Sequence, residues 1–413
     1  MKKFKNASII LGCILLISQP ISAHNTFDEI FGGQVFETEH DHFHFEENVF
    51  IEDILKEETN TDVPHHNRII PLISGKFETV EILEQGLRVC ASDEVEQLLW
   101  ATKGNYLHIS YDEGETFAWL HTFSQPDIDG VAFLNDKYLL VGTSNGRFSP
   151  DANGEVHLST DYGKTFTKVL DLIAGSAYYW SFAAAPDDTL IVSEYGYKEL
   201  PNNARHIYMS EDEGQTWRII YENGENDNNH MHRTHVDQQN SNIIYQSIGD
   251  GHNNKMIRST DKGETWEIII DEFNPTAVVQ LGDTIIWGTD THPTHGTYVM
   301  NSGGEIVSSF HPPHSHTGPI YDMIEIDGII YAGHMSYDWD VQPWDGSIWR
   351  SYDGGYNWEL FAVLPKDDLE AIGLYKFSHL NGYLYAHTTC LGYDIYSGQK
   401  KYYSGTLKIK LDH

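Results

Sequence analysis

The sequence predicts an all-β protein, a β-propeller of seven blades, and two observations carry the prediction. A short phrase, S-x-D-x-G-x-T-W/F, recurs as SYDEGETF from Ser110, STDYGKTF from Ser159, SEDEGQTW from Ser210 and STDKGETW from Ser259. It returns as SYDGGYNW from Ser351, with Asn357 in place of Thr. Between the phrases run short β-rich segments ending in Tyr, Trp or Val: QLLW, YLLV, TLIV, NIIY, TIIW, GIIY and GYLY. Turns at regular spacing without a helical period indicate repeated antiparallel sheets. A period of about 50 residues with four strands per unit is a propeller signature.

The repeat fixes the units in order. The Asp residues of the phrase are Asp112, Asp161, Asp212, Asp261 and Asp353. The first four stand about 50 residues apart and the last gap is about twice that. MNSGGEIV, from Met300, fills the empty slot as a degenerate copy. Unit four shows the pattern: HMHRTHVDQ, NIIYQSIGD and KMIRST are strands A to C, then the phrase, then TWEIII as strand D. The seventh unit runs out after its third strand, YSGTLKIKL, and the early segment KFETVEIL is expected to supply the fourth. That pairing closes the ring and leaves no open sheet edge.

Within the phrase, Asp and Ser or Thr are suited to hydrogen-bond a hairpin's own backbone. Gly permits a positive φ, and the aromatic residue packs between sheets. A turn repeated five times fastens blades; it does not catalyse. The phrase resembles the Asp-box of the BNR-repeat superfamily, which includes sialidases, xyloglucan-cleaving glycosidases, sortilin-type receptors and photosystem assembly factors. The resemblance implies a sialidase-like propeller with structural Asp-box turns between strands C and D. The sialidase [FY]RIP motif has no counterpart beyond HNRIIP around Arg68, so that family's catalytic roles do not transfer.

Ahead of the repeats, residues 1–23 read as a signal peptide: a basic MKKFKN, the apolar ASIILGCILLI, and small residues to a cleavage site after Ala23. This predicts a secreted or periplasmic protein. No later apolar run is long enough to span a membrane. Residues 24–68 form an acidic, His-rich leader with His40, His42 and His44 alternating, and 69–413 the propeller. The formal net charge of -35 argues against nucleic acid, which needs clustered Lys and Arg. A monomer is expected. Cys90 and Cys390 are left as either a disulfide or two buried thiols.

If the phrase occupies the C–D end of each blade, function belongs to the opposite face, where the B strands end and the A strands begin. There His, Tyr and Asp accumulate. Tyr245 leads to Asp250 and His252, Trp287 to Asp290 and His292, Tyr331 to His334, and Tyr385 to His387. The A strands add His230, His232 and Arg233, then His314 and His316. Histidine suits proton transfer near neutral pH or metal ligation. His316, His334, Asp290 and His292, with His232, are candidate ligands of a divalent metal such as Ca, Zn or Mn. No organic cofactor is indicated. Lys103, Glu194, Tyr197, Tyr337, Trp339 and Trp344 are candidates for holding sugar rings, which have apolar faces and hydroxyl rims.

The reaction expected is cleavage of a uronic-acid-containing polysaccharide by β-elimination. It needs a base for the C5 proton (His232 or His252), an acid for the leaving oxygen (Tyr195), and a cation for the carboxylate (Arg205 or Arg233). In architecture and site composition the chain resembles propeller-fold polysaccharide lyases for ulvan and oligogalacturonate. Two alternatives stand beside this reading. One is a glycoside hydrolase using paired carboxylates among Glu194, Asp250 and Asp290. The other is a non-catalytic secreted propeller that binds glycan or protein.

Overall fold

The computed structural model describes residues 69–412, apart from 72, 85, 198–202, 225–229, 251–252, 272, 291–294, 314–317, 337–344, 365–371 and 395–398. The signal peptide and leader expected from the sequence therefore lie outside the described residues. Seven antiparallel sheets follow one another along the chain. Blades one to six begin with the inner strands Arg88–Asp93, Asp127–Leu134, Phe182–Ala184, His230–Val236, Pro275–Leu281 and Ile320–Ile326. Blade seven begins with Gly373–Leu380. No helix of the described residues is long and apolar enough to cross a membrane.

The ring closes with strands from both ends of the repeat region. Thr79–Ile82 pairs antiparallel with Gln399–Lys410 and completes blade seven, as expected of KFETVEIL. Ile69–Pro71 pairs with the far end of Tyr383–Asp394, and Ser74–Gly75 adds a fifth strand to blade six.

The core lies between adjacent sheets. The second strands are buried in it and contribute Trp100, Val141, Val192, Tyr245, Trp287, Tyr331 and Tyr385. Cys90 and Cys390 are buried free thiols, which resolves the alternative left open by the sequence. Burial pushes both up to about 12, so they are inert at neutral pH.

The four S-x-D-x-G-x-T segments form one turn each with the same bonds, and the fifth matches them with the Asn357 side-chain amide in place of the Thr hydroxyl. In blade three, Ser210 Oγ donates to Asp212 Oδ1 at 2.8 Å and accepts from Gly214 N–H at 2.8 Å. The Thr216 amide donates to Asp212 Oδ1 at 2.8 Å, and its hydroxyl to Oδ2 at 2.6 Å. Two consecutive residues adopt positive φ, Glu213 at 60° and Gly214 at 85°. In blade five, Asn301 takes the Asp position and accepts from the Glu305 amide at 2.9 Å. The aromatic ends the turn: Trp266 Nε1 donates to Gly263 O and, at 3.1 Å, to Ile220 O of the preceding blade.

These bonds couple stability to acid. The side-chain hydroxyl of Thr216, its amide and Ser210 hold Asp212 down at about 2. Burial holds the His235 and His387 imidazoles down, to about 4 and about 3. In the unfolded chain the carboxylate binds a proton near pH 4 and the imidazoles near pH 6.5, so the unfolded state takes up more protons throughout this interval. The melting temperature should therefore fall as pH is lowered from about 6.5, and continue falling towards pH 2. A melting temperature that is flat between pH 7 and pH 3 would contradict these assignments.

Candidate active site

At the face opposite the five turns, the inner strands share an irregularity. In six blades the register against the second strand slips by one residue near the start: at Val89/Ala91, Ile128/Gly130, Met231/Thr234, Pro275/Ala277, Ile320/Met323 and Leu374/Lys376. Each slip is a β-bulge, which re-aims side chains where a strand lines a site. Blade three instead has the short turn Tyr178–Ser181, closed by Ser181 N–H to Tyr178 O at 2.9 Å.

The residues at these positions meet across the axis. Trp180 of blade three contacts the Tyr321 ring of blade six at 5.4 Å between centroids, and Tyr321 contacts Tyr375 of blade seven at 6.4 Å. Tyr179, Trp180 and Tyr195 form a buried aromatic cluster with Tyr178, Tyr321 and Tyr375 packed on it. Arg147 lies 4.6 Å over the Tyr178 ring and pairs with Asp129 at 2.6 Å. Asp129 also accepts from Ser144 Oγ at 2.6 Å.

Against this cluster sits a compact polar group. His230 Nε2 lies 2.8 Å from His232 Nε2 and 3.1 Å from Asp250 Oδ2, with His232 Nε2 at 3.7 Å from that oxygen. The Tyr195 ring packs on His230 at 4.4 Å and on His232 at 5.6 Å, and His232 stacks on Trp180 at 5.3 Å. Both histidines are buried, while the Asp250 side chain is 32 % exposed. Burial alone would raise the Asp250 carboxyl. The charge of His232 and hydrogen bonds from both imidazoles overcome it and hold the group well below the usual carboxylate range.

Backbone conformation builds the group. Asp250 has a φ of 66°, uncommon for a residue with a side chain. Gly196, at φ 134°, runs so close to Arg147 that a Cβ would lie 2.1 Å from its carbonyl oxygen. Only glycine fits there, and its carbonyl accepts the hydrogen bond from His230 Nδ1. Gly249 likewise leaves room for Asn274, whose Nδ2 donates to Asp250 Oδ1 at 3.1 Å.

Other candidates from the sequence have different surroundings. Glu194 is fully buried and accepts six hydrogen bonds, from the amides of Ile173, Ala174, Arg205 and His206, from His206 Nδ1 and from Tyr208 Oη. Arg205 pairs with Glu222 at 2.8 Å, and Lys103 with Glu84 at 2.8 Å on the surface. Arg233 pairs with the buried Asp322 at 2.7 Å and donates from Nε to Thr276 O at 3.0 Å. Tyr197 is held by its backbone between Arg147 O and Ala204 N. Asp290 Oδ1 stands 4.0 Å from His295 Nε2, and His334 is buried in the second strand of blade six. His252, His292, His316, Tyr337, Trp339 and Trp344 lie outside the described residues. Arg147, Tyr178 and Trp180 were not anticipated. The run Tyr178-Tyr179-Trp180 at the start of a blade was the available signal.

No family model matches the sequence, and no curated protein does. Solved structures match in fold. A GH74 enzyme from Niastella koreensis aligns with a TM-score of 0.54 at 14 % identity, over 79 % of this chain and 55 % of that one. The GH74 xyloglucanase from Xanthomonas campestris gives 0.50 at 14 % identity, over 83 % and 56 %. YCF48 bound to D1 peptide gives 0.53 at 14 % identity, over 84 % and 100 %. The chain thus spans little more than half the length of the two GH74 structures. At this identity the likeness is one of fold.

Proposed function

We propose that this propeller is an exported carbohydrate-active enzyme that cleaves a uronic-acid-containing polysaccharide by β-elimination. The observation that carries the reading is the packing of Tyr195 on the His230–His232–Asp250 group. In the reaction the C5–H bond breaks, a C4=C5 double bond forms, the C4–O bond breaks and the departing oxygen gains a proton. The substrate carboxylate must be neutralised before C5 can become carbanion-like. Both imidazoles direct Nε2 at one another and at Asp250, so the group serves to hold positive charge against that carboxylate.

Proton transfer falls to the Tyr195 phenol. As phenolate it takes the C5 proton and returns it to the leaving oxygen, favoured by the imidazoles and by Arg147 nearby. The aromatic surface of Trp180, Tyr178 and Tyr321 suits sugar-ring faces. Hydrolysis by a pair among Glu194, Asp250 and Asp290 has less support, because Glu194 is buried in six protein hydrogen bonds and Asp250 is held by His230 and Asn274. The basic-then-apolar N-terminal 23 residues support export.

The test is incubation of the mature protein with a panel of uronate-containing and neutral polysaccharides. New ultraviolet absorbance from unsaturated uronate is the expected result. New reducing ends without that absorbance would replace elimination with hydrolysis. Binding without cleavage would make this a recognition propeller.

A further inference from the structure

We infer that His230, His232 and Asp250 form a binding site for one divalent first-row transition-metal ion. The argument begins with the hydrogen-bond inventory. The Gly196 carbonyl can only accept, so His230 Nδ1 carries a proton and donates to it. With Nδ1 committed to that carbonyl, His230 Nε2 faces a second imidazole nitrogen at 2.8 Å and a carboxylate oxygen at 3.1 Å. Three atoms able to act as ligands therefore meet within 3.7 Å of one another, and either a proton shared among them or a bound cation holds them together.

The triangle has the dimensions for an ion. Its sides of 2.8, 3.1 and 3.7 Å define a circle of radius about 1.9 Å. Metal–nitrogen and metal–oxygen bonds are about 2.0–2.2 Å, so an ion bonded to all three would sit roughly 1 Å out of their plane. That arrangement holds the ion from one side and leaves its other positions open.

The surroundings match those of a ligand set. An imidazole that ligates through one nitrogen normally donates the other N–H to a carbonyl or carboxylate, as His230 does to Gly196. Asp250 has one oxygen fixed by Asn274 at 3.1 Å, leaving Oδ2 to face the imidazoles. Asp250, on a left-handed backbone, is also the exposed member of the set. Two nitrogens and one oxygen favour a transition ion over Ca or Mg, which take oxygen ligands.

The ion's role rests on the proposed elimination, while the site itself does not. A divalent ion beside one carboxylate leaves net positive charge, with open positions for the uronate carboxylate next to Tyr195. It would provide the neutralisation that Arg233, paired with Asp322, does not supply.

The experiment uses the mature full chain stripped with chelator and titrated calorimetrically with Zn, and separately with Co, whose visible spectrum reports its ligands. One ion per chain is expected, with Asp250→Asn abolishing binding and Asn274→Ala weakening it about 10–100-fold. Thermal melts of each variant establish folding; if His232→Ala does not fold, Asp250→Asn still decides. No ion bound, or binding unchanged in Asp250→Asn, overturns the site; the latter points to the His40–His44 leader or to a shared proton at the triad. Ion binding without cleavage of any polysaccharide overturns the elimination and leaves the site standing. Cleavage indifferent to chelator, with no ion bound, does the reverse.

Discussion

Tyr195→Phe is expected to lower the rate of polysaccharide cleavage by about 10²–10⁴-fold, the usual contribution of a positioned acid–base group. The substitution removes one oxygen and keeps the ring, so its contacts with Tyr178 at 5.1 Å, Trp180 at 4.8 Å and His230 at 4.4 Å should persist. The loss should therefore fall on kcat, with KM changed little and the melting temperature unchanged. Retention of activity within a few-fold would remove Tyr195 from the chemistry. Proton transfer would then return to an imidazole, and the charge-holding role of the histidine pair would have to be given up.

Asp322→Ala is expected to cost about 3–5 kcal/mol of folding stability, because it leaves the buried Arg233 and the half-buried Lys376 without their anion. Asp322 joins three blades. Its Oδ1 accepts from Arg233 of blade four at 2.7 Å; its Oδ2 accepts from Lys376 Nζ and the Phe377 amide of blade seven, each at 2.9 Å. With the carboxylate gone, Arg233 would keep bonds to Thr276 O and Tyr321 O but lose its counter-charge. Urea denaturation of the purified variant measures the change. A loss below about 1 kcal/mol, the level of an exposed ion pair, would show that solvent screens this network.

The fold was legible because it repeats. Each phrase carries its own turn chemistry, and the spacing of Asp112, Asp161, Asp212 and Asp261 counts the blades without reference to any distant contact. The strand from KFETVEIL could be anticipated because blade seven lacked a fourth strand. The site was legible only in part, because it does not repeat. His232, in a first strand, and Tyr195, just past the end of a second strand, were placed at the same end of their blades, and in the structure they pack together. Glu194, one residue from Tyr195, faces the other way into six hydrogen bonds. Arg233, one residue from His232, reaches across to Asp322.

Period-two alternation sends such neighbours to opposite sides, but it does not say which of the two faces the axis, and the bulge between Met231 and Thr234 breaks the alternation locally. Nor does sequence show that Arg147, distant in the chain from Tyr178, would lie over its ring. The extra aromatic residues at Tyr178–Trp180 were visible as composition. Their meeting with Tyr321 depends on the curvature of the whole ring.

The pairing of Thr79–Ile82 with Gln399–Lys410 gives the molecule an order in time as well as in space. During synthesis the first partner emerges on the order of tens of seconds before the second. Until the last strand arrives, the ring stands open, and its early strand has no mate to which it can bind. Local hairpins within each blade can form as they appear, but closure must wait for a contact of very long sequence separation, the kind that slows folding. A chain shortened at its C-terminus would keep six blades and lose the seal, and the contact of Trp180 with Tyr321 across the axis would then rest on an open ring.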